Sequence, residues 1–376
     1  MHFHVLGLGP IGSLTLDITN MAKRTWREIP SRSNGRAWWT PRPPSAPRSS
    51  KQRERQNVPY LIVTVKAYAA VDSVKSLIPR LSPNSTVVLL HNGMGVYERL
   101  VDDVFRNPEQ RPHFIVAVND HGAWNKDYFH TVHAGVDAIM FGLLQSLDNI
   151  MSPQERDKSP HRSLRNIVAA LSGLSGLNAT WKLISHVETA MKRKLVVNSA
   201  VNPFTALLGC RNGELLESVE VRKLIDRICS EAAGAFAMQA QEEQSCGDKE
   251  KQVRIWTGLS CVPPGLTARS LEEERLRVLK VTAGNISSML SDVWSGSYTK
   301  IDYMNGYLIG LGRSFGLPMM MMMMTCSMMY KIMKLQNYGI EMAVTPTKAF
   351  NLSFLSLFVA LGLAPAGAGT TPYPAR

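Results

Sequence analysis

Three glycines that follow a short apolar run near the N-terminus constrain the fold more than any other feature of this sequence. HVLGLGPIG, starting at His4, places Gly7, Gly9 and Gly12 in the order G-x-G-x-x-G, ahead of an apolar stretch with helical periodicity. The first glycine permits a tight turn, the second lets a pyrophosphate approach the backbone, and the third lets the helix lie close to the strand. The pattern therefore predicts a dinucleotide-binding domain, and the residues expected to contact the cofactor are Gly7, Gly9, Pro10, Ile11 and Gly12.

Two later apolar runs are typical of buried strands in the same domain. YLIVTV ends before Lys66, and STVVLL ends before His91 and Asn92. Their continuous apolar character suits a parallel sheet that is covered on both faces. Ligands of open α/β sheets lie outside the carboxyl ends of the strands, so Lys66 and Asn92 are predicted to contact the cofactor. The alternatives are a solvated loop lysine and the asparagine of an Asn-Gly turn.

Segment 21–57 breaks this pattern with a basic composition that is rich in Pro and Ser. It carries ten Lys/Arg against two Glu, a net +8 of the chain's formal charge of +12. Because it lacks a hydrophobic period, we predict a disordered insert. The segment stands where a dinucleotide-binding domain has the strand that contacts the adenosine ribose. Arg24, Arg27 or a later arginine is the candidate partner of an NADP 2′-phosphate, and the sequence does not choose among them. A nucleic-acid-binding arm is the alternative interpretation of the charge.

The bulk composition limits the classes of protein open to this chain. With 376 residues, 45% of them hydrophobic, two domains are expected. No apolar run reaches the roughly 20 residues of a membrane span, and the N-terminus does not resemble a secretory signal. The five cysteines have neither metal-ligand nor disulfide-framework spacing, so we expect no bound metal and a reducing compartment. The cytoplasm is the expected location, with the mitochondrion as the alternative.

From about residue 180 the sequence changes to long helical periods, which predicts an all-α domain. The expected fold is therefore an N-terminal α/β domain with a Rossmann-like parallel sheet, followed by an all-α C-terminal domain. The expected boundaries are 1–180 for the nucleotide-binding domain, 181–340 for a helical substrate and catalytic domain, and 341–376 for a tail.

One predicted helix of the second domain carries polar residues in an otherwise apolar run. In KLVVNSAVNP, Lys194, Asn198 and Asn202 are spaced four apart and therefore share one helix face. The alternative is the ordinary polar stripe of an amphipathic surface helix. Pro203 is expected to end or kink this helix directly after Asn202.

Several stretches of the chain resemble the ketopantoate reductase (2-dehydropantoate 2-reductase) family. They occur in family order and are GLGPIGS, LIVTVKAY, LLHNGMG, HAG, KRKLVVNSAVNPFTALLGCRNGEL, NISSMLSDV and IDYMNGYLIGLGRSFGLP. The resemblance implies a Rossmann domain joined to a helical domain, with NADPH and substrate bound between them. It also implies reduction of 2-ketopantoate to pantoate, a step towards pantothenate and coenzyme A.

The same resemblance implies roles for individual residues. Lys194 matches the family's catalytic lysine, which donates a proton to the ketone oxygen as hydride arrives from the nicotinamide. Substrate contacts are implied for Asn198, Asn202 and Ser288. Lys66, Asn92 and Asn212 match further family positions around the cofactor and substrate. The implied partner is a small 2-keto acid, and a homodimer is left open.

Two departures from the family pattern leave alternatives open. Lys300 stands where the family commonly has a glutamate that helps to anchor substrate, so the charge is reversed. The run 319–324 is six methionines, which we expect to pack as adaptable core.

The alternatives to the reductase are an enzyme for another branched 2-keto acid and a catalytically impaired homologue that binds nucleotide; a nucleic-acid binder ranks third.

Overall fold

The computed structural model describes residues 4–7, 10–12, 57–127, 130–144, 162–245 and 262–337. Nearly all of the basic segment, 21–56, and the predicted tail, 341–376, lie outside these ranges. The chain divides into two compact units, Met1–Met191 and Lys192–Arg376. The sequence placed the boundary at 180/181, whereas the structural division falls within a long helix that spans Ile184–Leu208.

The strands in the described ranges are β1 (His4–Leu6), β2 (Tyr60–Val63), β3 (Thr86–Leu89), β4 (His113–Asn119), β5 (Gly122–Asp127), β6 (His130–Gly135), β7 (Ile139–Leu143) and β8 (Ala179–Trp181). Six of them form one sheet in the first unit, in the order β1-β2-β3-β4-β7-β8. The first four strands run parallel, β7 is antiparallel to β4, and β8 is parallel to β7. The α/β class is confirmed, but the sheet is mixed rather than wholly parallel. The strands β5 and β6 form a separate antiparallel hairpin.

Three described helices accompany this sheet: α1 (Ala67–Lys75), α2 (Val96–Asp103) and α3 (Arg162–Ser172). All residues of β2 and β3 are buried, as expected for strands that are covered on both faces. Alternate strand residues such as Ile62, Val88 and Ile115 belong to the same core cluster as Leu164 and Ile167 of α3. The continuous apolar runs recognised in the sequence therefore form the centre of the sheet.

The first strand differs from its neighbours in burial. Among the described residues β1 pairs with β2 alone, with His4 opposite Leu61 and Leu6 opposite Val63. Its three residues are only partly buried. A dinucleotide-binding sheet places its next strand on the other side of this position. The segment that would supply that strand is the basic one, most of which lies outside the described residues.

The second unit is helical throughout its described part, which confirms the predicted all-α domain. Most of the long helix α4 belongs to it, and short 3-10 turns connect the later helices. Its core is formed by large buried side chains that include Phe204, Leu207, Leu215 and Phe236. The helices are α4 (Ile184–Leu208), α5 (Val219–Ser245), α6 (Ala268–Val281), α7 (Ser288–Trp294), α8 (Asn305–Ser314) and α9 (Met320–Asn337).

The methionine run begins helix α9, and the prediction that it packs as core is confirmed for three of its six residues, whereas Met320 and Met323 are exposed. Met319, Met321 and Met322 are buried. The Glu231 carboxylate accepts the backbone N–H of Met321 at 2.7 Å and that of Met322 at 3.0 Å. It thereby satisfies two donors that the first turn of a helix leaves without intrahelical partners. Burial raises the pKa of this carboxyl group.

No helix within the described ranges combines the length and apolar character that a membrane crossing needs. The cysteines in those ranges, Cys210, Cys229 and Cys326, are free. Burial raises the pKa of Cys229 and Cys326 to about 12, so both are neutral thiols at pH 7. The same part of the chain holds no group of three His, Cys, Asp or Glu residues able to bind a metal ion.

Candidate active site

The carboxyl ends of the first three strands lie side by side at one edge of the sheet. The register aligns Leu6 with Val63 and Val63 with Leu89. The Thr64 N–H donates to the Leu6 carbonyl at 2.9 Å, and the Leu90 N–H donates to the Val63 carbonyl at the same distance. This is the edge at which ligands of open α/β sheets bind. The predicted contact residues that follow these strand ends are Gly7, Lys66 and Asn92.

The turn after β1 requires glycine at two of the predicted positions. Gly7 has a φ of +109°, and a Cβ there would lie 2.8 Å from both the nitrogen and Cγ1 of Val65. A Cβ on Gly12 would overlap the Gly7 carbonyl oxygen. Residues 10–12, which include Pro10 and Ile11, already have helical conformation. The steric demands expected of a dinucleotide turn are therefore present, while Gly9 lies outside the described residues.

Thr64 holds this turn in place and was not singled out from the sequence. Its hydroxyl donates towards the carbonyl oxygens of Gly7, at 3.0 Å, and Leu6, at 3.2 Å. The same Oγ1 would be 2.6 Å from a Cβ on Gly12. The threonine thus connects the end of β2 to the glycine turn. The available signal was one hydroxyl side chain in the otherwise apolar run YLIVTV.

Lys66 and Asn92 occupy the predicted loop positions, and both are half-buried. The Lys66 carbonyl accepts the Ala69 N–H at 2.9 Å at the start of α1. Asn92 precedes a loop in which Gly93 and Gly95 each have a φ of +94°. The positions at the strand ends are confirmed, whereas contact with a cofactor stays a prediction.

His91 adds a titratable group at this edge that the sequence analysis did not select. Burial lowers its pKa to about 4, so the imidazole is neutral at pH 7. The side chain lines a cavity of about 60 Å³ in the first unit. Its Nε2 atom is buried and has no hydrogen-bond partner among the described residues.

The polar stripe predicted for the second domain forms on helix α4. Lys194 and Asn198 are half-buried, and Asn202 is only 7% exposed. The intervening residues 195–197 are buried apolar side chains. The stripe is therefore partly enclosed rather than the solvated face of an ordinary surface helix, and it presents one ammonium and two amides along two turns.

Pro203 does not end this helix, so of the two outcomes expected from the sequence, an end or a kink, the first is wrong. Helix α4 continues through it to Leu208. A proline in a helix leaves the carbonyl four residues earlier without its usual donor. Here that carbonyl belongs to Ser199, and it accepts a hydrogen bond of 3.0 Å from Nδ2 of the fully buried Asn305. This tertiary contact replaces the missing backbone donor.

The end of the stripe is tied to the start of α7 by two buried hydroxyls. Thr205 Oγ1 donates to the Asn202 carbonyl at 2.9 Å and lies 2.6 Å from Ser287 Oγ. Ser287 caps α7, since its Oγ accepts the Leu290 N–H at 3.1 Å. Thr205, three residues beyond Asn202 on α4, is therefore bonded to the residue that precedes Ser288, the first residue of α7. Thr205 and Ser287 were not predicted as site residues.

Lys300 contacts a predicted substrate residue directly. Its Nζ donates to Ser288 Oγ at 2.9 Å, and the lysine itself is only 7% exposed. Ser288 is exposed. Lys300, which stands where the resemblance implies a glutamate, and Ser288 thus form a local cluster next to the Thr205–Ser287 contact.

Asn212 lies beside the loop that leads to this cluster. Its Nδ2 donates to Thr282 Oγ1 at 2.9 Å, and its backbone N–H donates to the Asn285 carbonyl at 3.1 Å. Its Oδ1 is buried without a partner in the described part of the chain. In the second unit Ser288 therefore contacts Lys300, and the Thr205–Ser287 bond joins the same turn to the C-terminal end of the α4 stripe. Lys194 and Asn198 lie further back along α4, and Asn212 lies near the preceding loop.

The fold and these residues define a class of protein. A glycine turn at the end of a parallel strand is the architecture of nucleotide-binding Rossmann domains, and here the same chain carries a helical unit with a partly buried polar stripe. Comparison with known families gives the particular group. The model described as ketopantoate reductase PanE/ApbA matches residues 20–146, and its C-terminal counterpart matches residues 186–333. The chain belongs to the ketopantoate reductase family, whose members are pyridine-nucleotide-dependent oxidoreductases.

One curated relative is similar in sequence to this chain, and two solved structures are similar to it in fold. The 2-dehydropantoate 2-reductase of Yersinia pestis is 27% identical over 330 residues, which are 85% of this chain and 91% of the relative. A dimeric ketopantoate reductase from Staphylococcus aureus has a similar fold, with a TM-score of 0.56 at 13% identity, over 89% of this chain and all of the other. D-mandelate dehydrogenase, solved with NADH, has a TM-score of 0.56 at 18% identity, over 75% of this chain and 81% of its own.

Proposed function

We propose that this chain reduces 2-ketopantoate to pantoate with NADPH. The observation that carries the proposal is the partly buried line of Lys194, Asn198 and Asn202, whose C-terminal end is joined by the Thr205–Ser287 contact to the residue before Ser288. Both models of the family match this chain, and the second of them covers this whole arrangement.

The first unit is proposed to hold the cofactor. The turn at Gly7 and Gly12 leaves no room for a Cβ, which is the feature expected where a backbone must fold closely and admit a pyrophosphate. Gly9, Pro10 and Ile11 complete this proposed contact surface, with Lys66 and Asn92 at the neighbouring strand ends. The nicotinamide of NADPH, when bound, supplies hydride to the ketone carbon of the substrate.

The second unit is proposed to hold the substrate and supply the proton. The Lys194 ammonium donates a proton to the ketone oxygen and stabilises the negative charge that develops there. The amides of Asn198 and Asn202 and the hydroxyl of Ser288 bind the carboxylate and hydroxyl groups of the keto acid. After the reaction Lys194 is neutral and regains its proton from solvent.

Lys300 is proposed to change how the substrate is anchored without abolishing activity. Its ammonium is held by Ser288 Oγ within the cluster, so the local charge is positive where the family commonly has a carboxylate. An anionic keto acid is attracted by that charge, but the geometry of its anchoring differs from the family pattern.

A reductase of another branched 2-keto acid is the second candidate. The likeness in fold to D-mandelate dehydrogenase, an enzyme named for a different 2-hydroxy acid, favours testing other keto acids in parallel. A catalytically impaired homologue would bind NADPH without turnover. A homodimer and a cytoplasmic location, with the mitochondrion as the alternative, complete the proposal.

The test is to purify the full chain and follow NADPH absorbance with ketopantoate and with a panel of branched 2-keto acids. Turnover that is fastest with ketopantoate is the expected result. Faster turnover with another keto acid would replace the proposed substrate. Binding of NADPH, measured by its fluorescence, with no turnover of any keto acid would contradict the reductase and establish the impaired homologue.

A further inference from the structure

A cavity beside His91 has no role in the reaction proposed above. It lies within the first unit, and most of its lining is apolar, including Leu89, Val116, Leu144 and Met191. Its volume of about 60 Å³ is several times the minimum for one water molecule. The cavity is therefore suited to a compact group of a few non-hydrogen atoms.

His91 offers this cavity a hydrogen-bond acceptor. Its Nδ1 lies 3.4 Å from the Asn92 carbonyl oxygen, and since a carbonyl can only accept, Nδ1 carries the hydrogen. In the neutral ring Nε2 is then a lone-pair acceptor, and it is buried with no partner in the described structure. Burial keeps the ring neutral because it lowers the pKa to about 4. A buried acceptor without a donor is costly, so a ligand that supplies one gains affinity.

The charges on the lining restrict the ligand further. Its ionisable residues other than His91 and Tyr97 are Glu98 and Glu188, and the residues described around the cavity include neither lysine nor arginine. A carboxylate or phosphate placed there would meet the like charge of these two side chains. The chemistry of the lining therefore favours an uncharged group that donates a hydrogen bond.

We propose that this cavity binds an uncharged N–H or O–H donor group of a ligand through His91 Nε2, which makes His91 a specificity-determining residue. The inference rests on the proposed function, because that reaction supplies two groups of this chemistry. One is the carboxamide of the nicotinamide, and the other is the hydroxyl of ketopantoate. Both sources share the donor, the absence of charge and the small size that the cavity requires.

Binding of paired ligands distinguishes the two sources. The first pair is NADPH and its acetylpyridine analogue, in which a methyl ketone replaces the carboxamide. The second pair is ketopantoate and the analogue that lacks its hydroxyl. Affinities are measured by calorimetry for the unmodified chain, for His91→Leu, which cannot accept a hydrogen bond, and for His91→Gln, whose side-chain carbonyl can. Glu98→Gln, on the same cavity wall, is the matched control.

The unmodified chain is expected to bind the donor-bearing member of one pair about tenfold or more tightly than its partner. His91→Leu should lose this preference, while His91→Gln and Glu98→Gln keep it. The pair that shows the effect identifies the carboxamide or the hydroxyl as the ligand group. The ¹⁵N resonance of His91 Nε2 should move on binding of that ligand alone.

Equal affinities within both pairs, or a preference that persists in His91→Leu, would overturn the proposal. Turnover of ketopantoate by the unmodified chain would show that the proposed function still holds. Failure of the unmodified chain to bind any of the four ligands would overturn both this inference and the proposed function. A His91-dependent preference without turnover would support the cavity and reject the reductase.

Discussion

In the first unit the candidate cofactor site depends on backbone geometry, whereas in the second the candidate substrate site depends on contacts between side chains that are distant in sequence. The turn at Gly7 and Gly12 is determined by φ and by the absence of Cβ atoms. The cluster in the second unit needs Thr205 beside Ser287, 82 residues later, and Lys300 beside Ser288.

Because one site depends on backbone geometry and the other on side-chain contacts, the two sites should tolerate different substitutions. A backbone turn fails when any side chain is added, because the space is absent whatever the chemistry of the new group. A side-chain cluster responds instead to changes in charge and hydrogen bonding, often in pairs. The following predictions test whether the two sites differ in this way.

The largest expected effect concerns the proton donor of the second unit. We expect Lys194→Ala to lower kcat by roughly a hundredfold or more, as for loss of a positioned general acid. The measurement is NADPH oxidation at saturating ketopantoate. Lys223→Ala, an exposed lysine on α5, is the control. An unchanged kcat would remove Lys194 from the mechanism.

Adding a Cβ atom to the glycine turn tests whether the candidate cofactor site of the first unit requires glycine there. Gly12→Ala would place a Cβ against the Gly7 carbonyl oxygen, so we expect a loss of about 2 kcal/mol in unfolding free energy and at least tenfold weaker NADPH binding. Gly310→Ala is the matched control, since nothing lies within 4 Å of a Cβ there. In helix α8 that change should be neutral or stabilising by about 0.5–1 kcal/mol. Equal effects of the two substitutions would show that the turn imposes no special demand.

The contact that accommodates Pro203 offers a test by paired substitution. We expect Asn305→Ala to lower the unfolding free energy by about 1–3 kcal/mol, because the buried Ser199 carbonyl loses its donor. In a Pro203→Ala background the backbone N–H of residue 203 becomes available to that carbonyl. The loss of unfolding free energy caused by Asn305→Ala should therefore be smaller in that background. The measurement is urea denaturation of the unmodified chain, the two single variants and the double variant. Strictly additive effects would refute the compensation.

The smallest expected effect is a gain. Lys300→Glu supplies the carboxylate that the resemblance to the family implies at this position and still allows a hydrogen bond with Ser288, so kcat/KM for ketopantoate should rise by about tenfold. Lys300→Gln separates loss of the cation from gain of the anion. A fall in kcat/KM for Lys300→Glu would mean that this chain has rebuilt its site around the lysine.

Much of the first unit could be predicted because its signals are local. The glycine order and the apolar runs placed the turn, β2, β3 and the loop positions of Lys66 and Asn92 correctly. The antiparallel course of β7 and the separate hairpin were missed, since strand direction depends on pairing partners far away in the chain. His91 was passed over because its burial and its unsatisfied Nε2 exist only in the folded structure.

By itself the sequence determined the class of each unit, the glycine turn and the shared helix face of Lys194, Asn198 and Asn202, because these follow from steric limits and from the period of a helix. Tertiary structure alone decided that α4 passes through Pro203 and that Lys300 meets Ser288. Each of these outcomes depends on a hydrogen bond between residues brought together by packing, and no local pattern specifies such a partner.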